Sequence, residues 1–512
     1  MGNTMSFAQR CGIDNAARQL AVDHLLRHIK KNGVERVRFA WCDPHGLLRG
    51  KTLMASAVER ALNDGVGMVS TLMLKDTSDR TAWKVFEHGG VADLPGFESA
   101  GNLMLVANPA SYKTLPWTPQ TGWVQCQPWH ADGRPVALDT RRVLQAALAR
   151  LHRRGYAMRC GLEVEFHIYR LQDNGLKDML DPQQAAWPGA APQVEMIHPG
   201  YLLLGEAWAD MSDEPLQIVQ HTAQALGLPL TSLEIELGPS QVEAVFDVTD
   251  ALTAADNMVL FRSATTQALR RAGYHATFMC RPPFPNIMSS GWHLHQSLVD
   301  AQTGSNVFMR DTPAPSTTAQ DAQFTLSDIG EHYLAGLLAH ARGMALLATP
   351  TLNGYERFAP NAMAPQSIVW GHDNRGAMLR VIGQSGRSGQ SGQVDQVGQR
   401  GDVATRIENR IGESAANPYL YIASQIHAGL DGIDRQLKAP LASSRPYDSH
   451  HARLPTSMAQ AIEALQNDAE LTAGLGLDFV NYYTHLKQAE HARWQAADDQ
   501  RDWVAREYFG RL

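Results

Sequence analysis

The sequence predicts an α+β fold, because amphipathic helices and short strands follow one another along its 512 residues and strand–strand pairs are frequent. Hydrophobic residues make up 44% of the chain and charged residues 19%, a composition typical of globular proteins. A chain of this length predicts more than one domain, since domains usually hold roughly 100–200 residues. The same composition excludes a disordered or collagen-like protein.

The first part of the chain predicts a small α+β unit. Residues 15–31 carry apolar side chains at helical spacing and end before an Asn-Gly pair, which is a helix stop signal. Two strands, 34–41 and 47–53, are then predicted on either side of a turn at 43–46. This helix and hairpin, followed by further short strands, are typical of a separate domain.

A polar turn at 131–135 is the predicted boundary, which gives domains of residues 1–130 and 131–512. Residues 383–402 are rich in Gly, Gln and Ser and predict a flexible surface insertion. The larger domain is predicted to contain helices at 140–154, 215–226, 251–272 and 415–430, and strands at 157–169, 241–246 and 292–298.

Charge and hydropathy exclude several classes of protein. A net charge of −7 gives no polybasic surface for nucleic acid. The longest apolar runs are far shorter than the ~20 residues that a membrane helix needs, and the N-terminal residues lack the apolar core of a signal peptide. Five cysteines without a Cys-x-x-Cys pair predict free thiols in a reducing cytoplasm, rather than disulfides or structural zinc.

Acidic residues occur where apolar strands are predicted. Glu163 and Glu165 lie in the apolar run 160–169, and residues i and i+2 of a strand share a face, so their carboxylates lie side by side. Glu236 and Glu243 flank the entry to another apolar strand. Adjacent carboxylates repel one another unless a cation lies between them. For each segment alone, a solvent-facing strand edge is the alternative.

Two further strand segments add histidines and arginines. His293 and His295 share one face of a predicted strand, and alternation places Arg406, Glu408 and Arg410 together on another. Alone, the first pair is more often structural, and the second pattern is typical of an exposed salt-bridged strand. Taken together, five carboxylates and one imidazole suit two Mg²⁺ or Mn²⁺ ions. Such ions beside arginines suit phosphoryl transfer, and no P-loop motif is present.

In this order and at these intervals, the segments resemble the glutamine synthetase superfamily, of the bacterial type I kind and its γ-glutamyl-amine ligase relatives. The resemblance covers nearly the whole chain, from the hairpin at 41–51 to the helix start at 454–457. Its most specific segments are GLEVEF (161–166), ELGPSQVE (236–243), SGWHLHQSL (290–298), NGYERFAP (353–360), NRGAMLR (374–380), RIENR (406–410) and NPYLYIASQIHAGLDGI (417–433).

The resemblance implies a fold and an activity. It implies an N-terminal β-grasp domain, a catalytic domain with a curved antiparallel sheet and flanking helices, and two stacked hexameric rings with active sites between subunits. In such enzymes ATP phosphorylates the γ-carboxylate of glutamate, and an amine displaces the phosphate. The implied ligands are ATP, glutamate, an amine, and two or more Mg²⁺ or Mn²⁺ ions. Nucleic acid and membrane are not among the expected partners.

The resemblance also carries residue roles onto this sequence. Six residues are implied as metal ligands: Glu165, Glu236 and Glu243 for the first ion, and Glu163, His293 and Glu408 for the second. Three arginines are implied to bind the phosphates of ATP: Arg375, Arg380 and Arg406. Arg410 is implied to bind the γ-carboxylate of glutamate or its phosphate, and Arg357 is implied to bind the α-carboxylate. Asp43 is implied to reach towards the amine from an adjacent subunit, and Tyr201 to line the same pocket.

Departures from the family pattern bear on the amine. In glutamine synthetase proper, an acid on the flap takes a proton from ammonium, and the corresponding position of this sequence is Met363. The apolar, adaptable side chain of methionine favours an amine with a hydrocarbon or aromatic body. Trp292 and Phe358 are predicted to help supply an apolar wall, although both also suit a core. Met288-Ser289 replaces an Asn-Gly pair near the α-amino end of the acid. The sequence therefore predicts a γ-glutamyl-amine ligase, with glutamine synthetase and an inactive structural or regulatory homologue as alternatives.

Overall fold

The protein is described by a computed structural model over residues 5–173, 188–316, 318–358, 364–386 and 401–512. Within these ranges the chain forms two β-sheets with helices packed around them, which confirms the α+β class. Met363 and most of the predicted insertion, 387–400, lie outside the described residues. No helix in the described part of the chain is long and apolar enough to cross a membrane.

The first sheet is built by the N-terminal part of the chain. Its described strands run in the order β2-β1-β6-β4-β3, with β5 paired to β6 and β1 parallel to β6. The strands are β1 (Arg36–Cys42), β2 (Leu48–Met54), β3 (Val66–Val69), β4 (Asn102–Ala107), β5 (Lys113–Thr114) and β6 (Thr121–Trp129). The helices are α1 (Phe7–Arg10), α2 (Ala16–Asn32) and α3 (Ala55–Asp64). The predicted first helix and hairpin are confirmed.

The second sheet contains the strands that were predicted to carry acids. Its described order is β13-β14-β15-β12-β7-β10-β9, with β8 and β11 also paired to β7, and every pair is antiparallel except β13 with β14. The strands are β7 (Tyr156–Asp173), β8 (Gln193–Met196), β9 (Leu230–Ile235), β10 (Gln241–Asp250), β11 (Tyr274–Thr277), β12 (Gly291–Asp300), β13 (Trp370–His372), β14 (Leu379–Ile382) and β15 (Arg406–Glu413).

Helices pack against this sheet and against one another. They are α4 (Thr140–Arg153), α5 (Glu206–Met211), α6 (Asp213–Ala225), α7 (Ala251–Arg271), α8 (Asp328–Ala339), α9 (Ala341–Ala348), α10 (Pro418–Asp434), α11 (Met458–Gln466), α12 (Ala469–Leu475), α13 (Leu477–Gln495) and α14 (Gln500–Val504). Nearly every residue of α10 is buried, so this helix is central in the packing. Its start is fixed by Pro418 and by the side chain of Asn417, which accepts hydrogen bonds from two backbone N–H groups.

The alternation of β7 separates apolar from acidic side chains. Leu162, Val164 and Phe166 point into the core and are buried, whereas Glu163 and Glu165 point to the opposite face. Burial of the apolar face offsets the unfavourable free energy of gathering the acids on the other. The sheet therefore positions the site.

The two parts of the chain meet at the turn of the first hairpin. The buried guanidinium of Arg262 donates hydrogen bonds to the carbonyl oxygens of Gly46, Ser414 and Ala416. Gly46 adopts φ 81°, and any side chain there would collide with Arg262. Along the sequence, the strands of the first sheet all precede residues 131–135 and those of the second sheet all follow them. Residues from both parts nevertheless share one hydrophobic core, so the division into domains 1–130 and 131–512 stays a prediction.

A buried histidine joins four helices, α8, α9, α10 and α12. His340, between α8 and α9, faces Asp468 of the α12 N-terminus through Nδ1 at 2.8 Å and Asp431 of α10 through Nε2 at 2.9 Å. Both ring nitrogens therefore donate, which requires the imidazolium. Burial alone lowers the pKa of His340, but the hydrogen bonds to Asp468 and Asp431 outweigh it and raise the pKa above 6.5. Arg435 also pairs with Asp431 at 2.9 Å.

Substitution of His340 should make the stability depend less on pH. His340→Gln leaves a buried carboxylate without its cation, which should cost about 3 kcal/mol at pH 6. Because the folded-state pKa is raised, this contribution is complete below the unfolded-state pKa and is lost as the pH rises through the folded-state value. Thermal unfolding midpoints at pH 6 and pH 9 should therefore differ from wild type mainly at pH 6. The exposed His152→Gln is the control, and an equal deficit for His340→Gln at both pH values would contradict the imidazolium.

Candidate active site

Strand register brings the predicted ligands onto one face of the second sheet. On β7, Glu163 lies opposite His293 of β12, and Glu165 lies opposite Glu243 of β10. Glu408 of β15 joins them from the far side of β12. Four strands thus contribute one or two side chains each to a single cluster.

His293 lies at the centre of this cluster. Its Nδ1 is 3.4 Å from Glu163 Oε2 and 3.8 Å from both Glu243 Oε1 and Glu408 Oε1, and its Nε2 is 3.6 Å from Glu165 Oε1. These separations are longer than ordinary hydrogen bonds. They leave space between the acids and the imidazole rather than direct pairing.

A bulge aims an arginine at the same place. Trp292 and Leu294 of β12 pair with Gly412 and Asn409 of β15, so the single residue between the first pair faces two residues on β15. One of these two residues is Arg410. Bulges re-aim side chains next to functional sites, and here the guanidinium of Arg410 contacts the carboxylate of Glu408.

Neighbouring acids shift one another's pKa. Burial, then the charges of Glu165 and Glu163, raises the pKa of Glu243 to about 10. Burial, then Glu165, raises the pKa of Glu236 to about 7. Burial opposes ionisation of Glu408 as well, but His293 and Arg410 lower its pKa overall. Without cations beside them, the acids of this cluster therefore cannot all be ionised together at neutral pH.

The cluster fits divalent cations. In the described part of the chain, two groups of three ligand atoms lie close enough to share an ion: Glu163, His293 and Glu408, and Glu165, Glu243 and His293. Glu243 Oε1 is also buried without a hydrogen-bond partner. Carboxylate oxygens with one imidazole and no thiol suit Mg²⁺ or Mn²⁺, which would satisfy this oxygen and relieve the repulsion.

Glu236, the remaining member of the first predicted ligand set, stays a prediction. Glu236 lines the cleft but is not in the close group with Glu165 and Glu243, whose third member is His293. Glu236 follows the last residue of β9, and its Oε2 accepts a hydrogen bond from the backbone N–H of Leu237 at 3.0 Å. A position past the strand end is no longer governed by strand alternation.

Arginines surround the acids. Arg380 donates to Glu408 at 3.0 Å and also binds Asp373. Arg357, at the end of a 3₁₀ turn, donates to the carbonyl oxygens of Arg410 and Gly412, and Gly291 leaves room for its guanidinium. Arg410 Nε is buried and has no hydrogen-bond partner among the described residues, which suits an incoming carboxylate or phosphate.

Two cavities meet at the cluster. A cleft of about 590 Å³ is lined by Arg357, Arg375, Arg380 and Arg410 together with the acids. A second cavity of about 400 Å³ is lined by Arg406, His295, Arg159 and Asn306, among others. Glu163 and Val245 line both. A ligand whose charged part lies beside Glu163 could therefore extend from one cavity into the other.

Asp43 does not line this cleft of its own chain. Its carboxylate is buried, pairs with Arg49 at 2.8 Å, and accepts hydrogen bonds from the backbone N–H groups of His45 and Leu47 at 2.9 Å. The carboxylate thus organises the turn of the first hairpin. Its predicted contact with a neighbouring subunit stays a prediction.

Three predicted pocket residues lie elsewhere. Trp292 alternates with His293 to the opposite face of β12, is fully buried, and packs edge-on against Tyr421. Phe358 is buried against Tyr355. Tyr201 is exposed and donates its hydroxyl to the carbonyl oxygen of Asn286. In the described structure none of the three lines either cavity, which corrects the expected apolar wall.

The structure brings to the site residues to which the sequence assigned no role. His295 contacts Glu163 through Nε2 at 2.9 Å and accepts from Arg406 Nε through Nδ1 at 3.0 Å, so it orients both. Its position two residues after His293 was the available signal. Leu203 and Leu204 line the cleft in place of Tyr201. A run of three leucines between two glycines, in a segment too short for a helix, was the signal for them.

Known proteins share this arrangement. The family model described as "Glutamine synthetase, catalytic domain" matches residues 137–508. A gamma-glutamylanilide synthase of Acinetobacter sp is 35% identical over 100% of both chains, and a gamma-glutamylethanolamide synthetase of Streptomyces coelicolor is 28% identical over 96% of both. A solved structure described as a GmaS/ADP complex superposes with a TM-score of 0.72 at 25% identity, covering 93% of this chain and 97% of that one.

The chain belongs to the glutamine synthetase family. It is an ATP-dependent ligase that forms a carbon–nitrogen bond. The curved antiparallel sheet, the acids on its face and the arginines around them are where the family's chemistry requires anionic groups to be neutralised.

Removal of one charge at the cluster should abolish turnover. Glu408→Gln keeps the shape of the side chain but removes a negative charge from a group of three predicted metal ligands. We expect phosphate release with Mg²⁺ to fall at least about 100-fold, and Mn²⁺ binding measured by calorimetry to weaken. The control is Glu356→Gln, an exposed acid outside the cleft. Near-normal turnover of Glu408→Gln, with the chain folded and assembled, would contradict the assignment.

Proposed function

We propose that the protein joins the γ-carboxylate of glutamate to an amine larger than ammonia, with an aromatic or otherwise apolar amine favoured. ATP would first phosphorylate the γ-carboxylate, and the amine would then displace phosphate from the γ-glutamyl phosphate. The observation that carries this proposal is the cleft itself, where arginines and an acidic cluster lie beside apolar side chains.

The arrangement of charges supports a separate binding place for each reactant. The cavity beside Arg406 and His295 would hold the nucleotide, and the larger cleft would hold the acid and the amine. Since both cavities include Glu163, the phosphoryl group would be transferred beside this residue. Divalent ions held by Glu163, Glu165, Glu243, His293 and Glu408 would neutralise the transferring phosphate when bound.

The arginines would act on the acid. Arg357 is fixed by two backbone carbonyl oxygens and would bind the α-carboxylate, while the unpartnered Nε of Arg410 would donate to the γ-carboxylate and then to its phosphate. Arg375 and Arg380 line the same cleft and would bind the phosphates of ATP. Fixed guanidinium groups cost little reorganisation as charge moves from nucleotide to acid.

Two observations favour a larger amine. Met363 replaces the acid that would take a proton from ammonium, and a neutral arylamine needs no such base before it attacks. The name of the Acinetobacter relative, gamma-glutamylanilide synthase, states an aromatic amide as its product. Glutamine synthetases also match this chain, at 31% identity for the Thermus thermophilus protein, so ammonia belongs in any test.

A screen of amines tests the proposal. ATP-dependent phosphate release is measured with glutamate and with ammonia, methylamine, ethanolamine, phenethylamine or aniline, and the amides are identified by mass spectrometry. We expect kcat/KM to be at least about tenfold higher with a bulky apolar amine than with ammonia, since each added apolar contact is worth about that factor. Reactions without glutamate provide the control. A clear preference for ammonia would identify a glutamine synthetase, and no turnover with any amine would identify an inactive homologue.

The active site is also proposed to include a neighbouring subunit. Asp43 does not line the cleft of its own chain, and the family resemblance implies two stacked hexameric rings in which this residue reaches an adjacent site. Within one chain, its turn is held to the catalytic part by Arg262 and by Asn417, which donates to the carbonyl oxygen of Asp43. The turn is thus rigidly placed for such a contact.

Mixed oligomers test this assembly. Asp43→Asn and Glu408→Gln subunits should each be inactive alone, because one lacks the charge near the amine and the other a metal ligand. Co-assembly should restore partial activity, since some sites would combine an intact Asp43 from one chain with an intact Glu408 from its neighbour. Native mass spectrometry verifies mixing. Absence of restoration in proven mixed rings would place Asp43 outside the neighbour's site.

A further inference from the structure

An exposed apolar loop borders the cleft. Between β8 and α5, Tyr201, Leu202, Leu203 and Leu204 are 56%, 50%, 46% and 63% exposed. Contiguous apolar surface of this kind on a soluble protein marks a binding site more often than chance. Only Leu203 and Leu204 of the four line the described cleft that contains Glu236 and the arginines.

The backbone of this loop is held in an unfavourable shape. Tyr201 and Leu204 both have φ 55°, a left-handed conformation that non-glycine residues rarely adopt. Two backbone hydrogen bonds hold it there, from Tyr201 N to Leu237 O at 2.7 Å and from Leu204 N to Ile235 O at 3.0 Å. They lie on either side of Glu236, so the loop is attached at the acidic wall of the cleft. Strain that persists beside a functional site points to a role for the side chains that it presents.

The apolar surface of the cleft comes from separate segments. Leu237 follows β9, and Met288 precedes β12, and both line the cleft with Leu203 and Leu204. No carboxylate, guanidinium or amide of the loop 201–204 competes for this surface, because the loop contains only apolar side chains and one phenol. The cleft therefore carries leucine and methionine side chains in addition to its acids and arginines.

We propose that Leu203 and Leu204 form the surface that receives the apolar body of the amine and thereby set the preference for aromatic and other apolar amines. This inference rests on the proposed function and names the residues that select its substrate class. An aromatic or alkyl amine gains affinity in proportion to the apolar area that it buries on these side chains. Ammonia has no such area, so the loop gives it no advantage.

Selectivity measures this role directly. For each enzyme, kcat/KM with aniline, or with the best bulky amine of the screen, is divided by kcat/KM with ammonia. Leu203→Ser and Leu204→Asn should each lower this ratio at least about tenfold, since even one lost methylene contact has about that effect. Asn is chosen at position 204 because it tolerates positive φ. Leu202→Ser is the matched control: it lies in the same loop with similar exposure but outside the cleft lining, and should keep the wild-type ratio.

A binding measurement gives an independent readout. Calorimetry with γ-glutamylanilide, ADP and Mg²⁺ should show a dissociation constant at least about tenfold higher for Leu203→Ser than for Leu202→Ser. Size-exclusion chromatography and circular dichroism verify that each variant is folded and assembled. If Leu203→Ser does not assemble, the milder Leu203→Ala serves the same comparison.

The outcomes separate this inference from the proposed function. An unchanged ratio in assembled Leu203 and Leu204 variants would overturn the inference and leave the proposed function intact. Loss of the oligomer with an unchanged ratio would identify the loop as a subunit contact and would also overturn it. A wild-type preference for ammonia over every larger amine would overturn the proposed function before any variant is compared.

Discussion

Repulsion between carboxylates on one sheet face is the constraint on which this structure depends. Glu163, Glu165, Glu243 and Glu408 lie around His293, and burial together with the charges of Glu165 and Glu163 raises the pKa of Glu243 to about 10. Such a group is stable in an ionised form only with cations between its members. The burial of the apolar residues on the opposite face holds the strands together despite this repulsion. The site therefore suits divalent cations.

Strand register decides where that positive charge can come from. The pairing of β7 with β10 and β12 fixes the acids opposite one another, and a shift of one residue would turn each acid into the core. Arg380 and Arg410 neutralise the outer edge through Glu408, but no guanidinium pairs with Glu243 among the described residues. Metal ions suit the inner part of the cluster, and the arginines suit phosphate and carboxylate at its rim.

The cleft combines this charged region with an apolar one, and the two serve different parts of the reaction. The charged region is dictated by chemistry that every ligase of this family shares, because phosphate must be neutralised wherever it is transferred. The apolar region is built from loop residues attached to the ends of β9 and β12. Loops can change without altering the register of the sheet, so the identity of the amine can vary while the phosphoryl chemistry stays constant.

The sequence by itself determined which side chains share a face. Period-two alternation correctly joined Glu163 with Glu165, and Arg406 with Glu408, because local backbone geometry sets the direction of a side chain in a regular strand. The direction of Arg410 depends instead on the bulge in β15. The same local rule, with helical periodicity, predicted the long helices and the strands that carry the site.

Only the tertiary structure decided which strand faces come together and which residues line the cleft beside them. In the folded chain His293 lies between both groups of acids, and Glu236 lies just beyond the end of β9. Trp292 is buried in the core, whereas Leu203 and Leu204 line the cleft. These outcomes depend on the order of strands and on hydrogen bonds between residues distant in sequence, such as those that attach the loop 201–204 to β9. Local periodicity contains no information about such contacts, because they are fixed by the packing of the whole chain.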